Sequence, residues 1–101
     1  MRVITKAKLV AFWTQHPPAK AALQTWVQDV SGAIWSTPQD IKRQHASASF
    51  VASNRVVFNI KGNDYRLVVA IAYRYQAIYV KFVGTHAQYD AINAATVEPK
   101  T

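Results

Sequence analysis

Cysteine is absent from this chain of 101 residues, and only five residues are acidic. The lack of cysteine excludes a disulfide scaffold, a thiol nucleophile and thiolate zinc ligands. No apolar run reaches about 18 residues and the start lacks the pattern of a secretory signal, so we expect a soluble, cytoplasmic protein. Half of the residues are hydrophobic, which is enough for one compact domain over residues 1–101.

Metal and phosphate-loop motifs are also missing from the sequence. The acidic residues are scattered singly, and His16, His45 and His86 show no ligand spacing such as HExxH. The three glycines are isolated, so no glycine-rich phosphate loop is present. We therefore expect neither a metal nor a cofactor.

Positive charge dominates what is present. Twelve Lys and Arg residues give a formal net charge of +7 and a pI near 10.0. Such a balance attracts polyanions, so RNA, DNA, an anionic membrane and an acidic protein all remain candidate partners. The cations concentrate in the second half of the chain, which favours a binding site there.

The first half of the chain has the spacing of helices. Thr5 is placed to cap a first helix that ends at the His16–Pro18 break, and Pro18 opens a second helix that ends near Gly32. The two helices should pair as a hairpin. The segment 37–40, TPQD, predicts a further short helix, followed by a loop with a short strand up to residue 54.

From residue 55 onward, β-branched and aromatic residues predict a three-stranded antiparallel meander. A four-residue KGND turn would place Ile60 opposite Tyr65, and a turn at residues 75–76 would place Tyr73 opposite Ile78. One sheet face then carries the large apolar side chains, with Phe82 among them. The other face should be an open groove floored by alanines and rimmed by Arg55, Arg66 and Lys81.

The closing segment THAQYDAINAATV begins with a capping pair, Thr85 and Gln88. This pair predicts a short helix that carries His86 and Tyr89 on one side. The whole pattern is that of an α+β domain, with two N-terminal helices packed on a small twisted antiparallel sheet and a short C-terminal helix.

Residues 55–90 resemble the HigB-type branch of the RelE-like toxin superfamily. The resemblance is carried by FNI, GN and YR across the first hairpin, by FVGTH, and by the YD pair of the closing helix. The helices and the connecting segment fit as well, so the resemblance covers nearly the whole chain. It implies a RelE-like α+β fold with helices on one face of the sheet.

The resemblance also implies a function. Such toxins are endoribonucleases that cleave mRNA in the decoding site of the ribosome, which brings contacts with rRNA. An antitoxin encoded beside the toxin silences it, here one similar to HigA, whose helix-turn-helix domain represses the operon. DNA would then be a partner only through the antitoxin, and no membrane would be involved.

Metal-independent cleavage by 2′-hydroxyl attack needs a base, cations around the phosphate and an acid near the leaving oxygen. Arg66 is the first candidate for gripping the phosphate and Lys81 the second. His86 is the candidate acid or base, since imidazoles exchange protons near neutral pH. Tyr89 is placed to stack on a base or to share the proton transfer.

Other polar residues are candidate RNA contacts, and each has a structural alternative. The candidates are Lys42, Arg43, Arg55, Asn59 and Arg74. All the cations could instead be solvated, and His86 could cap its helix or pair with Asp90. A noncatalytic basic RNA-binding module and a structural partner protein that docks an acidic surface therefore remain alternatives to the nuclease.

Overall fold

The computed structural model describes residues 1–99. Within these residues, four α-helices and five strands follow one another in the order β1 (Arg2–Ile4), α1 (Lys6–Gln15), α2 (Lys20–Ser31), α3 (Pro38–Gln44), β2 (Ser49–Val51), β3 (Arg55–Ile60), β4 (Tyr65–Ala72), β5 (Ala77–Thr85) and α4 (His86–Asp90). The α+β class and the short C-terminal helix are thus as the sequence predicts. None of these helices in residues 1–99 combines the length and the apolar character needed to span a membrane.

Helices α1 and α2 pack on one face of the sheet because their apolar residues recur on one side. Leu9 from α1, together with Leu23 and Trp26 from α2, is buried in the core cluster that includes Phe58 of the sheet. A 3-10 turn, Pro17–Ala19, separates the two helices, so the predicted break between them is confirmed.

Thr5 precedes α1 as predicted, but it does not cap the helix through its side chain. Its backbone adopts a φ of 66°, and its hydroxyl donates to the carbonyl of Ile4 and accepts from the amide of Val80 at 3.3 Å. The hydroxyl therefore ties the start of α1 to β5. The TPQD cap is confirmed, since Thr37 and Asp40 form a complete capping box at the start of α3.

The sheet is larger than the predicted meander. Its order is β1-β5-β4-β3-β2, and β1 pairs with β5 in parallel while the other pairs are antiparallel. The short strand predicted before residue 54 is β2. The first hairpin has the expected register, with Ile60 opposite Tyr65 and Asn59 opposite Arg66.

The second turn differs from the prediction by two residues. Ile78 pairs with Ile71 and not with Tyr73, which belongs to a 3-10 turn, Tyr73–Tyr75. Gln76 then adopts a φ of 51°, and its side-chain amide donates to the carbonyl of Tyr73 at 2.9 Å. Because the shift is by two residues, the side chains here keep their predicted faces.

A β-bulge at Lys81 reverses the faces of the end of β5. Val68 pairs with Phe82, but the next residue of β4 pairs with Val80, so Lys81 has no partner across the strand pair. One additional residue exchanges the two faces for everything beyond it. Phe82 therefore leaves the predicted helix-facing core, and Val83 packs there in its place.

The C-terminal segment, residues 91–99, corrects the prediction of an open groove. It crosses the sheet on the face opposite the helices, where Ala94 is buried with Val57 and Val68, and Ile92 packs at the edge of this second cluster. The predicted groove would have exposed the two valines to water, and the segment removes that apolar surface.

Candidate active site

Arg66 and Tyr89 form the centre of the candidate site. Arg66 lies on β4, and its guanidinium carbon is 5.6 Å from the centre of the Tyr89 ring on α4. Both side chains are half-buried, and Arg66 Nη1 makes only a long hydrogen bond, 3.4 Å, to the carbonyl of Asn63. Among residues 1–99 no carboxylate pairs with Arg66, so its charge is available to an anion.

Helix α4 is fixed by three hydrogen bonds at its start. The amide of Thr85 donates to Gln88 Oε1 at 2.9 Å, and the amide of Gln88 donates to Thr85 Oγ1 at 3.2 Å. The amide of His86 donates to the carbonyl of Asp64 at 3.1 Å, which joins the helix to the turn between β3 and β4. The five-residue helix is therefore held beside the strand that carries Arg66.

Gly84 allows this close approach. It lies directly opposite Arg66 in the sheet, and a Cβ atom there would come within 2.6 Å of the Phe82 ring and 2.7 Å of Gln88 Oε1. A side chain at this position would collide with both the strand and the cap of α4. The geometry of α4 thus depends on a residue without a side chain.

His86 lies at the first position of α4, three residues before Tyr89. Its side chain is 45% exposed, and its Nε2 atom is 3.5 Å from Asp90 Oδ1. Residues three positions apart in a helix lie on neighbouring parts of one face. The structure therefore brings His86, Tyr89 and Arg66 to one end of the sheet, while the predicted pairing with Asp90 is also present.

Lys81 lies farther along the sheet. It is three residues from Gly84 on β5, which corresponds to about 10 Å along a strand. Its Nζ atom is 3.0 Å from Glu98 Oε2, and its side chain is 24% exposed. Lys81 and Arg55 reach the same carboxylate, so Lys81 lies on the sheet face that carries Arg55 and Arg66.

The sequence predicted that Arg55 rims an open groove, and the structure shows that it does not. Its side chain is 8% exposed, and its guanidinium donates to the carbonyl of Ala94 at 3.2 Å, to the carbonyl of Val97 and to Glu98 Oε1 at 3.1 Å. These bonds anchor the C-terminal segment on the sheet. The Arg55 guanidinium is therefore buried and bonded to the C-terminal segment.

The other predicted RNA contacts lie at separate places. Asn59 is exposed on β3 directly opposite Arg66, so it adjoins the site. Lys42 and Arg43 lie on α3, where Lys42 donates to the carbonyl of Ala48 at 2.7 Å and Arg43 pairs with Asp40 at 3.2 Å. Arg74 is exposed in the second turn, beyond the far end of β4.

Sequence reasoning missed Glu98 as part of this face. Its carboxylate lies between Lys81 and Arg55, and the hydrogen bond from Lys81 holds its pKa below the usual value, with Arg55 adding to the effect. The available signal was a single acid in the tail of a chain whose predicted sheet carries several cations. Asp64 was missed as well, because it contributes through its backbone carbonyl.

The remaining histidines are half-buried and pack against aromatic rings. The ring of His45 packs edge-on against Trp35 and Phe58, and burial lowers its pKa. The ring of His16 stacks on Phe12 at a centroid distance of 4.4 Å. Over the described part of the chain, no three histidine or acidic side chains group together as a metal site would require.

Comparison with known proteins assigns the family. The HigB toxin family, described as a RelE-like toxic component of a toxin-antitoxin system, matches residues 19–92. The chain belongs to this family. The matched region includes β3, β4, β5 and α4, so the toxin's Arg66, His86 and Tyr89 all lie within it.

Several curated relatives span nearly the whole toxin. The mRNA interferase toxin HigB of Escherichia coli K12 is 26% identical over 96 residues, which cover 93% of this chain and 92% of the relative. The mRNA interferase HigB of Shigella flexneri has the same identity and coverage. The mRNA interferase HigB of Escherichia coli O6:H1 is 24% identical over 94 residues, 91% of each chain.

Proposed function

We propose that this toxin is an mRNA interferase that cleaves mRNA on the ribosome. The observation that carries the proposal is the unpaired Arg66 guanidinium over the Tyr89 ring, with His86 three residues before Tyr89 on the same clamped helix. A fixed cation, an aromatic ring and an imidazole at one exposed end of a sheet suit a single-stranded RNA backbone. The names of the relatives support the same activity.

In the proposed reaction, the 2′-hydroxyl of the RNA attacks the adjacent phosphorus and no metal takes part. The 2′-oxygen to phosphorus bond forms, the bond to the 5′-oxygen breaks, and the products are a 2′,3′-cyclic phosphate and a 5′-hydroxyl. A base takes the proton of the 2′-hydroxyl, and an acid protonates the leaving 5′-oxygen. Binding on the ribosome supplies the bent mRNA geometry that brings the reacting atoms into line.

Arg66 grips the scissile phosphate with two donors, since a guanidinium matches two phosphate oxygens at once. His86 is the acid or base, and Tyr89 stacks on a neighbouring base or shares the proton transfer. Lys81 is the second cation for the phosphate, although Glu98 shares its charge. Asn59 contacts the RNA beside Arg66.

Binding to the ribosome would use cations outside this site. Lys42 and Arg43 on α3 and Arg74 in the second turn are exposed, and they contact the rRNA or mRNA backbone in the proposal. Such a toxin acts in the cytoplasm, where ribosomes are. Its antitoxin is a HigA-like helix-turn-helix protein, so DNA is reached only through that partner.

The test uses Arg66→Ala, Arg66→Lys and His86→Ala in a translating extract, with mapping of the 5′ ends of cleaved mRNA. We expect Arg66→Ala to lower cleavage by about 100-fold or more, as for the loss of a group that stabilises transition-state charge. Arg66→Lys should retain part of the cleavage, because lysine supplies the positive charge without the paired donors of a guanidinium. Lys20→Ala, which removes an exposed cation from α2, is the matched control and should cleave normally.

The same experiment separates the nuclease from a noncatalytic RNA-binding module. Variants that keep ribosome binding but lose cleavage support catalysis. Cleavage at the wild-type rate by both Arg66→Ala and His86→Ala would remove these residues from the reaction. If the wild-type toxin binds ribosomes and leaves every transcript intact, the RNA-binding module becomes the correct description.

A further inference from the structure

Two cations on the sheet face of Arg66 hold a carboxylate that belongs to the chain itself. Glu98 Oε1 accepts from Arg55 Nη2 at 3.1 Å and from Lys81 Nζ at 3.2 Å, and Glu98 Oε2 is 3.0 Å from the same Nζ atom. The Arg55 side chain is 8% exposed, whereas the Glu98 side chain is 57% exposed. A buried guanidinium and an ammonium thus bind an anion that remains open to water.

The donors around Glu98 are those that a phosphodiester requires. A guanidinium offers paired N–H donors that match two phosphate oxygens, and an ammonium adds a compact positive charge. A carboxylate and a phosphodiester each spread one negative charge over two oxygens, so either anion satisfies these donors. We call Arg55 and Lys81 the second anion site, since Arg66 provides the first.

The second anion site lies within reach of an RNA backbone that is held at Arg66. Lys81 is three residues from Gly84, which lies directly opposite Arg66, so the two positions are about 10 Å apart along β5. Both sites are on the face opposite the helices. A backbone that runs from Arg66 along β5 toward the second turn therefore meets Lys81 next.

The end of the C-terminal segment is held to the sheet by few bonds. Within residues 1–99, Arg55 and Lys81 provide the hydrogen bonds that join residues 93–99 to the sheet. Residues 91–99 form no helix or strand, and residues 97–99 line a cavity of about 600 Å³ that also borders α1. Ion pairs with an exposed partner contribute little to stability, so the release of Glu98 from Lys81 costs little.

We propose that Arg55 and Lys81 form a second phosphate-binding site, which Glu98 occupies until an RNA backbone replaces it. The ligand is a phosphodiester near the scissile one, and this identity rests on the proposed function. Displacement moves the end of the segment and frees Lys81, while Arg55 keeps its bond to the carbonyl of Ala94. Glu98 therefore weakens RNA binding by the free toxin, because the RNA must first displace a bound carboxylate.

The test measures the binding of a single-stranded RNA oligonucleotide by fluorescence anisotropy, at about 0.1 M salt, where distant charges are screened. The 2′-oxygens of the probe are methylated, so it cannot be cut by 2′-hydroxyl attack. Glu98→Gln should bind about twofold to fivefold more tightly than the wild type, which is the effect of one exposed ion pair. Asp29→Asn is the matched control and should bind as the wild type does, because it removes the same charge from an exposed position on α2.

A second comparison asks whether the gain depends on Lys81. If Glu98 competes with RNA for Lys81, Glu98→Gln should improve binding less in a Lys81→Ala background than in the wild type. An equal gain in both backgrounds would mean that Glu98 acts through net charge alone. Equal affinities of the wild type and Glu98→Gln would mean that no competition exists. Either result overturns the proposal.

Amide hydrogen exchange tests whether the segment moves. With the same oligonucleotide bound, the amides of residues 96–98 should exchange faster than in the free toxin, because the release of Glu98 loosens the end of the segment. Slower or unchanged exchange would mean that RNA binds without displacing the segment, which contradicts the proposal.

The two proposals can fail separately, because neither binding measurement depends on cleavage. A wild-type toxin without nuclease activity would refute the proposed function and leave the competition by Glu98 intact. A toxin that cleaves mRNA on the ribosome, but whose RNA affinity does not respond to Glu98→Gln, would refute the second site alone.

Discussion

Replacing Gly84 by alanine tests whether close packing holds α4 in place. The new Cβ would lie 2.6 Å from the Phe82 ring and 2.7 Å from Gln88 Oε1. Gln88 can rotate away, but it then gives up its hydrogen bond to the amide of Thr85. Phe82 cannot move freely, because it packs against the buried cluster that includes Val68.

The expected loss follows from these two effects. Overpacking costs about 1–3 kcal/mol and a lost helix cap costs about 1 kcal/mol, so the free energy of unfolding should fall by about 2–4 kcal/mol. For a domain of this size that corresponds to a decrease in Tm of roughly 10–25 °C. Because α4 carries His86 and Tyr89, cleavage measured below the new Tm should fall too.

The other two glycines are controls for this measurement. Gly32 has a φ of −88° and its nearest neighbour to a new Cβ is 3.9 Å away, so Gly32→Ala should be neutral or stabilise the fold by up to about 1 kcal/mol. Gly62 has open space but a φ of +65°, so Gly62→Ala should cost about 1–2 kcal/mol. Thermal unfolding followed by circular dichroism ranks the three. If Gly84→Ala has the same Tm as Gly32→Ala, the packing argument is wrong.

Two further predictions concern the C-terminal segment. Arg55→Ala removes a buried guanidinium and leaves the carbonyls of Ala94 and Val97 without their donor, so urea unfolding should show a loss of about 2–3 kcal/mol. Glu98→Gln should destabilise the toxin at pH 7 but not in acid. Lys81 lowers the folded pKa of Glu98, so its stabilisation is present above the unfolded pKa and disappears as the pH falls through the folded one. A difference between wild type and Glu98→Gln that stays constant from pH 7 to pH 3 would refute this.

The helices and the first hairpin were predictable because their signals are local. The capping residues Thr37 and Thr85 act within one helical turn, and the KGND turn fixes the register of Ile60 and Tyr65 through its length alone. Alternation of apolar residues along β3 and β4 then assigns each face. These steps use only residues that are close in sequence.

The errors all came from contacts between distant segments. The second turn is fixed by Gln76, whose side chain bonds to Trp35 about forty positions earlier in the chain. The bulge at Lys81 has no turn residue or glycine at the additional position to mark it. β1 is only three residues long and pairs with the far end of the chain, which periodicity cannot reveal.

The predicted placement of Arg55 at the rim of an open groove is wrong, and the reason lies in the C-terminal segment. From the sequence, Arg55 and Arg66 are equivalent, since both are cations on one face of a basic sheet. In the structure, the C-terminal segment binds Arg55 and leaves Arg66 unpaired. Arg55 lies beneath the part of the segment that covers Val57, whereas Arg66 lies beside α4. Net charge therefore overstates the charge open to RNA, and Arg66 is the cation on this face that remains unpaired within residues 1–99.

The two ends of the sheet accordingly differ in chemistry. At one end Arg66 on β4 lies beside the Tyr89 ring of α4, and His86 lies on the same helix. This polar site suits an RNA backbone that must be held and released. At the other end the exposed side chains of Ile34 and Tyr75 lie beside the cations Arg2 and Lys6. The two ends are about 20 Å apart, so we expect a substitution at one end to leave the other end unchanged.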